Sequence, residues 1–152
     1  MEDHAEAVGR PPAVMIAALG VGVVLHLVVP VAIVPGIPTW LLGIPLAVFS
    51  LALFLASIRE FSRHGTPVRG TEAVTTIVAT GPYRFSRNPI YLSFVLLQLG
   101  IALTANSAWI LLMVIPTFLY LSFGVIDREE SYLSRKFGDE YRRYKASVRR
   151  WI

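Results

Sequence analysis

The sequence predicts an all-α integral membrane protein with four transmembrane helices and a C-terminal amphipathic helix at the membrane interface. The chain has 152 residues, of which 55% are hydrophobic and 16% are charged, and its mean hydropathy is +0.60. This composition is too apolar for an ordinary soluble domain of the same size. Asp, Glu, Lys and Arg are also absent from Pro11 to Ile58 and from Asn88 to Ile126. Because a spanning helix needs about 20 apolar residues, each uncharged block holds two spans.

Each uncharged block contains a turn signal near its middle, which divides it into two helices. Pro35 to Pro38 place a glycine between two prolines, and Thr104 to Ser107 are small or polar residues. Pro30 lies inside the first predicted span, where neighbouring helices in a membrane absorb a kink. The third span is short for a full crossing. We therefore expect a single domain over residues 1–152, with spans at about 13–34, 39–58, 89–103 and 108–126.

The distribution of basic residues predicts the orientation of these spans. All 14 Lys and Arg residues lie in the N-terminal tail, in the connection between the second and third spans, or in the C-terminal tail. The two hairpin turns carry none. Lys and Arg near span ends are retained in the cytoplasm, so we expect both termini, the loop 59–88 and the tail 127–152 to be cytoplasmic.

Several kinds of function are disfavoured by composition. The chain has no cysteine, which removes disulfides, thiolate nucleophiles and Cys-ligated metals. His4, His26 and His64 are too far apart for metal-ligand spacing, so we expect no metal site. His26 is the one ionisable group within a span, where such a residue suggests function, although a neutral imidazole bonded to a neighbouring helix is favoured. The net charge of +4 comes from residues that border the spans, where anionic headgroups explain them, and we expect no nucleic-acid partner.

The polar stretch before the third span, TGPYRFSRNPIY, predicts an anion site. Pro89 suits the first position of a helix, and Asn88 suits the N-cap, where its side-chain oxygen accepts an amide hydrogen. A helix N-terminus favours anions, and Arg84 and Arg87 add forked donors beside it. Two alternatives remain open. In one, the arginines hold lipid phosphates. In the other, Tyr83 and Tyr91 belong to an interfacial aromatic belt.

The C-terminal tail, DREESYLSRKFGDEYRRYKASVRRWI, has the pattern of a basic amphipathic helix that binds anionic headgroups. A break at Gly138 is the alternative to one continuous helix. Asp127, Glu129 and Glu130 require a cationic partner, either an arginine of the chain or a positively charged ligand. The apolar positions recur at helical spacing and are Leu133, Phe137, Tyr141, Tyr144, Val148 and Trp151.

An anion site in one segment and a cation-tolerant site in the other match a zwitterionic ligand with an aromatic part. The stretches GPYRFSRNPIY and REESYLSRKFGDEYRRYK, in this order and separated by one helical hairpin, resemble the membrane-bound methyltransferases. That family includes isoprenylcysteine carboxyl methyltransferase and the phospholipid N-methyltransferases, with short bacterial members. The resemblance extends from about Phe61 to the C-terminus and includes HGTPV at His64–Val68.

The resemblance implies S-adenosylmethionine as the methyl donor and a lipophilic acceptor from the bilayer, such as a phospholipid amine, a prenylcysteine-like carboxylate or another lipid. It also implies a bacterial inner-membrane location. The isoprenylcysteine enzymes have a histidine at the position of Asn88, which weakens the case for a prenylcysteine substrate. Carried over by position, the cofactor-binding residues are Gly81, Pro82, Tyr83, Arg84, Arg87, Asn88, Pro89, Tyr91, Arg128, Glu129 and Glu130, to which we add Tyr141.

The expected roles follow from the charges of the donor molecule. Arg84, Arg87 and Asn88 bind its carboxylate, and Glu129 and Glu130 bind its ammonium group or ribose hydroxyls. If the acceptor is an amine, one of these glutamates takes its proton. Glu129, Glu130 and Arg87 are therefore the expected catalytic residues. We expect the adenine or the substrate to contact the tyrosines Tyr83, Tyr91 and Tyr141.

Two other kinds of protein share parts of this pattern. Membrane steroid and sterol reductases, which use NADPH, have a similar C-terminal layout, but they place an acidic residue soon after the Pro-x-Tyr step, where this chain has Leu92, Ser93 and Phe94. A non-enzymatic membrane scaffold is the third possibility. In a scaffold, the arginines and glutamates pair with each other.

Overall fold

The computed structural model describes residues 10–68 and 74–152, and these residues are all helical apart from turns, loops and one isolated bridge. His4 and most of the N-terminal tail, whose orientation was predicted from charge, lie outside the described residues. A short 3-10 turn, Gly81–Arg84, precedes the third helix. The helices are α1 (Pro11–Val28), α2 (Trp40–Arg63), α3 (Pro89–Thr104), α4 (Ala108–Phe137) and α5 (Asp139–Ser147).

Three of the helices, α1, α2 and α4, are long and apolar enough to cross a membrane. Helix α3 has 16 residues and is about 24 Å long, whereas the hydrocarbon core is about 30 Å thick. The count of four spans therefore stays a prediction. Helix α1 ends at Val28 rather than near Val34, because Pro30 lacks an amide hydrogen and disfavours the helical conformation at Val29 before it, which has φ -134 and ψ 87.

Small residues allow the apolar helices to pack closely. A Cβ atom built on Gly43 of α2 would clash with the Thr104 nitrogen, and one on Gly100 of α3 would lie 2.7 Å from the Ala47 nitrogen. Helix α1 approaches α4 in the same way at Gly22, whose added Cβ would lie 2.9 Å from the Ile110 Cα. Close backbone approach of this kind is how helices associate in membranes.

The two hairpin turns, which carry no charge, meet at one end of the bundle. The Asn106 side-chain oxygen accepts hydrogen bonds from the Ile33 and Val34 amides at 3.0 and 3.1 Å. Its amide group donates to the Val34 carbonyl at 2.9 Å. Near this end, the His26 Nδ1 atom is buried and makes no hydrogen bond with the described residues, so the expected bond to a neighbouring helix is not formed by that atom.

Helix α4 continues beyond the predicted end of the fourth span at residue 126. Its segment Tyr120–Ile126 is π-helical, and α-helical turns resume at Asp127. The acidic residues after Ile126 are therefore held on the same rigid helix as the span. Gly138, with φ +52, then ends α4 and separates it from α5.

The continuous C-terminal amphipathic helix that we expected is thus two helices. Leu133, Tyr141 and Tyr144 are buried in one cluster with Val74, which belongs to the loop after α2. These three members of the apolar stripe therefore pack against the protein, where Val74 and Ile77 of the loop cover them. Headgroup binding by the basic tail remains a prediction, and it cannot rest on these buried residues.

Candidate active site

The two polar segments, distant in sequence, meet where α3 begins and where the polar part of α4 begins. The Arg87 guanidinium lies 2.9 Å from the Glu130 carboxylate, and both side chains are buried. One turn into α3, the Tyr91 hydroxyl donates to the Glu129 carboxylate at 2.5 Å. The structure therefore brings together the basic and acidic blocks that the sequence analysis paired.

Asn88 occupies the N-cap position of α3, but its side chain makes no capping hydrogen bond. The cap predicted from the sequence is wrong. The Asn88 side-chain amide instead donates to the Arg150 carbonyl at 3.1 Å, because the end of the chain passes beside it. The backbone amide of Asn88 donates to the Ser86 hydroxyl at 3.1 Å.

We call residues 148–152 the C-terminal segment, and this segment lies along the start of α3. The Arg87 amide donates to the Arg149 carbonyl at 3.0 Å. The Trp151 ring stacks obliquely on Phe118 of α4, with ring centroids 4.9 Å apart. The C-terminal segment thus joins the two helices that carry the site.

Glu130 is the centre of an ion cluster. In addition to Arg87, it contacts Lys145 at 3.1 Å and Arg150 at 2.9 Å, and Arg150 also contacts Asp127 at 2.9 Å. The hydrogen bond to Glu130 raises the pKa of Arg150 above its ordinary value, and partial burial of the guanidinium opposes this only in part. A buried carboxylate needs such compensation. Lys145 and Arg150 are site residues that the sequence analysis assigned only to the basic tail.

The tyrosines near the site are buried within the protein. Tyr83 is 1% exposed and packs edge-to-face on Phe61, with centroids 5.3 Å apart. Tyr91 is 7% exposed. Neither belongs to an interfacial aromatic belt, so that alternative is wrong for both. Tyr141 lies one layer away, against Tyr144, whose hydroxyl donates to the Tyr83 carbonyl at 2.8 Å.

Glu60, which supports the turn before α3, was not predicted as a site residue from the sequence. Its carboxylate accepts a hydrogen bond from the Thr80 hydroxyl at 2.7 Å and from Arg63 at 2.8 Å. Gly81 has φ +57, and a Cβ atom there would lie 2.7 Å from the Glu60 Cγ. The turn therefore requires glycine for both its conformation and its space. Two features of the sequence could have indicated this contact: Glu60 is a lone acid near the end of an apolar helix, and the step Gly81-Pro82 precedes the next helix.

The other predicted site residues differ in how accessible they are. Arg84, Arg128 and Gly81 are exposed, Pro82 is half-buried, and Pro89 is buried at the first position of α3. The exposed arginines therefore lie at the surface of the same region in which Arg87 is buried.

Apolar helices of spanning length, with a buried cluster of opposite charges at one end, define a membrane-embedded helical protein with a polar site at its edge. Residues 38–140 match the model of the family described as phospholipid methyltransferase. The chain belongs to this family.

The chain is also 48% identical over 63 residues to an uncharacterized protein of Haemophilus influenzae (strain ATCC 51907 / DSM 11121 / KW20 / Rd), a match that covers 41% of this chain and 100% of that protein. No solved structure matches the chain significantly.

Proposed function

We propose that the protein transfers a methyl group from S-adenosylmethionine to a lipophilic acceptor that resides in the membrane. The acceptor class comprises a phospholipid amine, a prenylcysteine-like carboxylate and other lipids. The proposal depends above all on one observation: Arg87 and Glu130, from segments far apart in the sequence, form a buried ion pair at the end of two apolar helices. Membership of the phospholipid methyltransferase family supports the same activity.

The donor set of this region fits a zwitterion. A carboxylate on the ligand would bind Arg87 together with Glu130, with Arg84 and Asn88 beside it. An ammonium group would bind Glu129, or it would replace an arginine or lysine as a partner of Glu130. S-adenosylmethionine supplies both charges together with an electrophilic methyl group on its sulfonium. Gly81 and Pro82 belong to the 3-10 turn, Pro89 begins α3 and Arg128 lies on α4, and these residues would enclose the donor.

The two glutamates would have different roles because their surroundings differ. Glu130 has three cationic partners, so it holds Arg87 and the C-terminal segment in place. Glu129 accepts the Tyr91 hydroxyl, which fixes the orientation of its carboxylate. Glu129 is therefore the residue that we assign to the ammonium or ribose, and to the proton of an amine acceptor. Tyr83 and Tyr141 lie behind these charged residues and support the contact with the adenine or the substrate.

The remaining contribution of the protein is alignment and exclusion of water. Arg87, Glu129 and Glu130 are each less than 7% exposed, and charges in such a place interact more strongly than they do in water. Holding two reactants in line is worth several kcal/mol, on the order of 7 or more in favourable cases. We further propose that the site faces the cytoplasm at a bacterial inner membrane and that the basic tail binds anionic headgroups.

Binding of labelled S-adenosylmethionine to the purified protein in detergent tests the proposal. We expect saturable binding by the wild type and at least about a tenfold loss of affinity in Glu129→Gln and Arg87→Ala, because each removes a buried charge. Glu140→Gln and Arg143→Ala are matched controls, since they make the same chemical changes at exposed positions of α5. Wild-type affinity in both site variants would show that the site is elsewhere.

A scaffold is the second candidate, and the three cations around Glu130 favour it, because they satisfy the acidic segment without any ligand. The same experiment separates the classes when it includes labelled NADPH. Binding of S-adenosylmethionine alone supports the methyltransferase, and binding of NADPH alone supports a reductase. Binding of neither supports the scaffold.

A further inference from the structure

Two buried polar side chains in the apolar part of the bundle have no hydrogen-bond partner among the described residues. Gln98 of α3 is 1% exposed, and neither its amide nitrogen nor its amide oxygen makes a hydrogen bond. Ser122 of α4 is 4% exposed, and its hydroxyl is also without a partner. Such groups are costly in an apolar environment, where no water replaces the missing bonds.

Other buried hydroxyl groups of the bundle satisfy themselves within their own helices. The Ser50 hydroxyl donates to the Ala47 carbonyl at 2.7 Å, and the Ser93 hydroxyl donates to the Ile90 carbonyl at 2.6 Å. Ser122 lies in the π-helical segment Tyr120–Ile126, where the carbonyls are arranged differently from those of an α-helix. Its hydroxyl is therefore available to a group outside its own helix. Segments of π-helix also occur frequently at functional sites.

The positions of Gln98 and Ser122 place them at a similar depth. Helices α3 and α4 run antiparallel and touch where Tyr91 meets Glu129. Gln98 is two helical turns further along α3 than Tyr91, and Ser122 precedes Glu129 on α4 by the same number of residues. Two turns correspond to about 10 Å. Both side chains thus lie about 10 Å below the candidate active site, next to the core that α3 and α4 share.

The chemistry of this pair selects a neutral ligand group. The uncharged blocks of the sequence contribute no ion to this depth, so a charged group bound there would lack a counter-ion. The amide of Gln98 and the hydroxyl of Ser122 both donate hydrogen bonds, and a carbonyl oxygen has two lone pairs to receive them.

We propose that Gln98 and Ser122 form a subsite for the ester carbonyl of a membrane lipid, about 10 Å from the atom that is methylated. This inference rests on the proposed function and narrows the class of acceptors to lipids that carry an ester carbonyl. The acceptor carries its reactive group at Glu129 and a neutral hydrogen-bonding group between α3 and α4.

A comparison of two lipids tests the subsite. Diester phosphatidylethanolamine and the diether lipid with the same head group and chains differ in the carbonyls alone. Native mass spectrometry of the full chain with each lipid measures the relative retention. We expect the wild type to retain the diester lipid roughly 2- to 10-fold better, the range of one neutral hydrogen bond in net terms. Gln98→Leu and Ser122→Ala each reduce this preference, and the double variant removes it.

Ser50→Ala is the matched control, because it removes a buried hydroxyl that is already bonded within its helix. The test variants replace unsatisfied polar atoms with apolar ones, so we expect them to fold at least as stably as the wild type. Equal retention of the two lipids by the wild type would overturn the subsite, as would an unchanged preference in the double variant. Binding of labelled S-adenosylmethionine is measured on the same samples. If the wild type does not bind S-adenosylmethionine, the methyltransferase activity is rejected. If it binds S-adenosylmethionine but retains the two lipids equally, the subsite alone is rejected.

Discussion

Contacts between residues distant in the sequence hold each end of the helix bundle together, but they are neutral hydrogen bonds at one end and ion pairs at the other. At the uncharged end, Asn106 binds backbone groups of Ile33 and Val34. At the charged end, Glu130 binds side chains of Arg87 and Arg150. The hydrogen bonds at the uncharged end join neutral groups, which do not attract a charged ligand. Charged side chains can exchange one partner for another of the same sign. The comparison indicates that the uncharged end closes the fold, and it supports our proposal that the charged end binds a ligand.

The largest expected effect comes from removing the carboxylate at the centre of the charged end. Glu130→Gln leaves the buried Arg87 without its counter-charge, and we expect a loss of about 3 to 5 kcal/mol of stability, the range for breaking a buried pair. Thermal unfolding in detergent measures it. Asp139→Asn is the control, because the Asp139 to Arg142 pair is exposed on both sides and such pairs contribute little. Equal melting temperatures for the two variants would show that the buried cluster contributes no stability.

An intermediate effect is expected at the uncharged end. Asn106→Ala removes three hydrogen bonds and places alanine at φ +48, and we expect a loss of about 2 to 3 kcal/mol. Asn106→Gly removes the same bonds without the conformational cost, so its loss should be smaller. Affinity for S-adenosylmethionine should stay at the wild-type value in both variants. A large drop in that affinity would contradict the division of roles between the ends.

The smallest effect sharpens the comparison within the charged end. Gly81→Ala introduces a Cβ atom beside Glu60 at φ +57, whereas Gly65→Ala has the same conformational cost at φ +59 with nothing within 4 Å. We expect about 1 to 2 kcal/mol for the shared conformational cost, and a further loss at Gly81 alone. Only Gly81→Ala should weaken binding of S-adenosylmethionine. Identical unfolding and binding by the two variants would show that the Glu60 contact does not shape the site.

Particular residues show how far sequence reasoning reached. The pairing of the Arg87 region with Glu129 and Glu130 was predictable, because isolated charges of opposite sign beside apolar spans need each other. The cap at Asn88 was mispredicted, since local propensity gives no information about the C-terminal segment that takes its side chain. Glu60 and Arg150 were missed for the same reason: their partners are distant in the sequence.

The sequence by itself determined the helical membrane class, the two hairpins, the uncharged end and the family, because hydropathy, turn residues and ordered motifs are local properties of a chain. Only the tertiary structure decided that the apolar stripe of the tail packs against the protein, that α4 carries the acids beyond its apolar part, and which cations surround Glu130. Those choices depend on which distant groups come within a few ångströms of each other, and burial then decides which charges must pair.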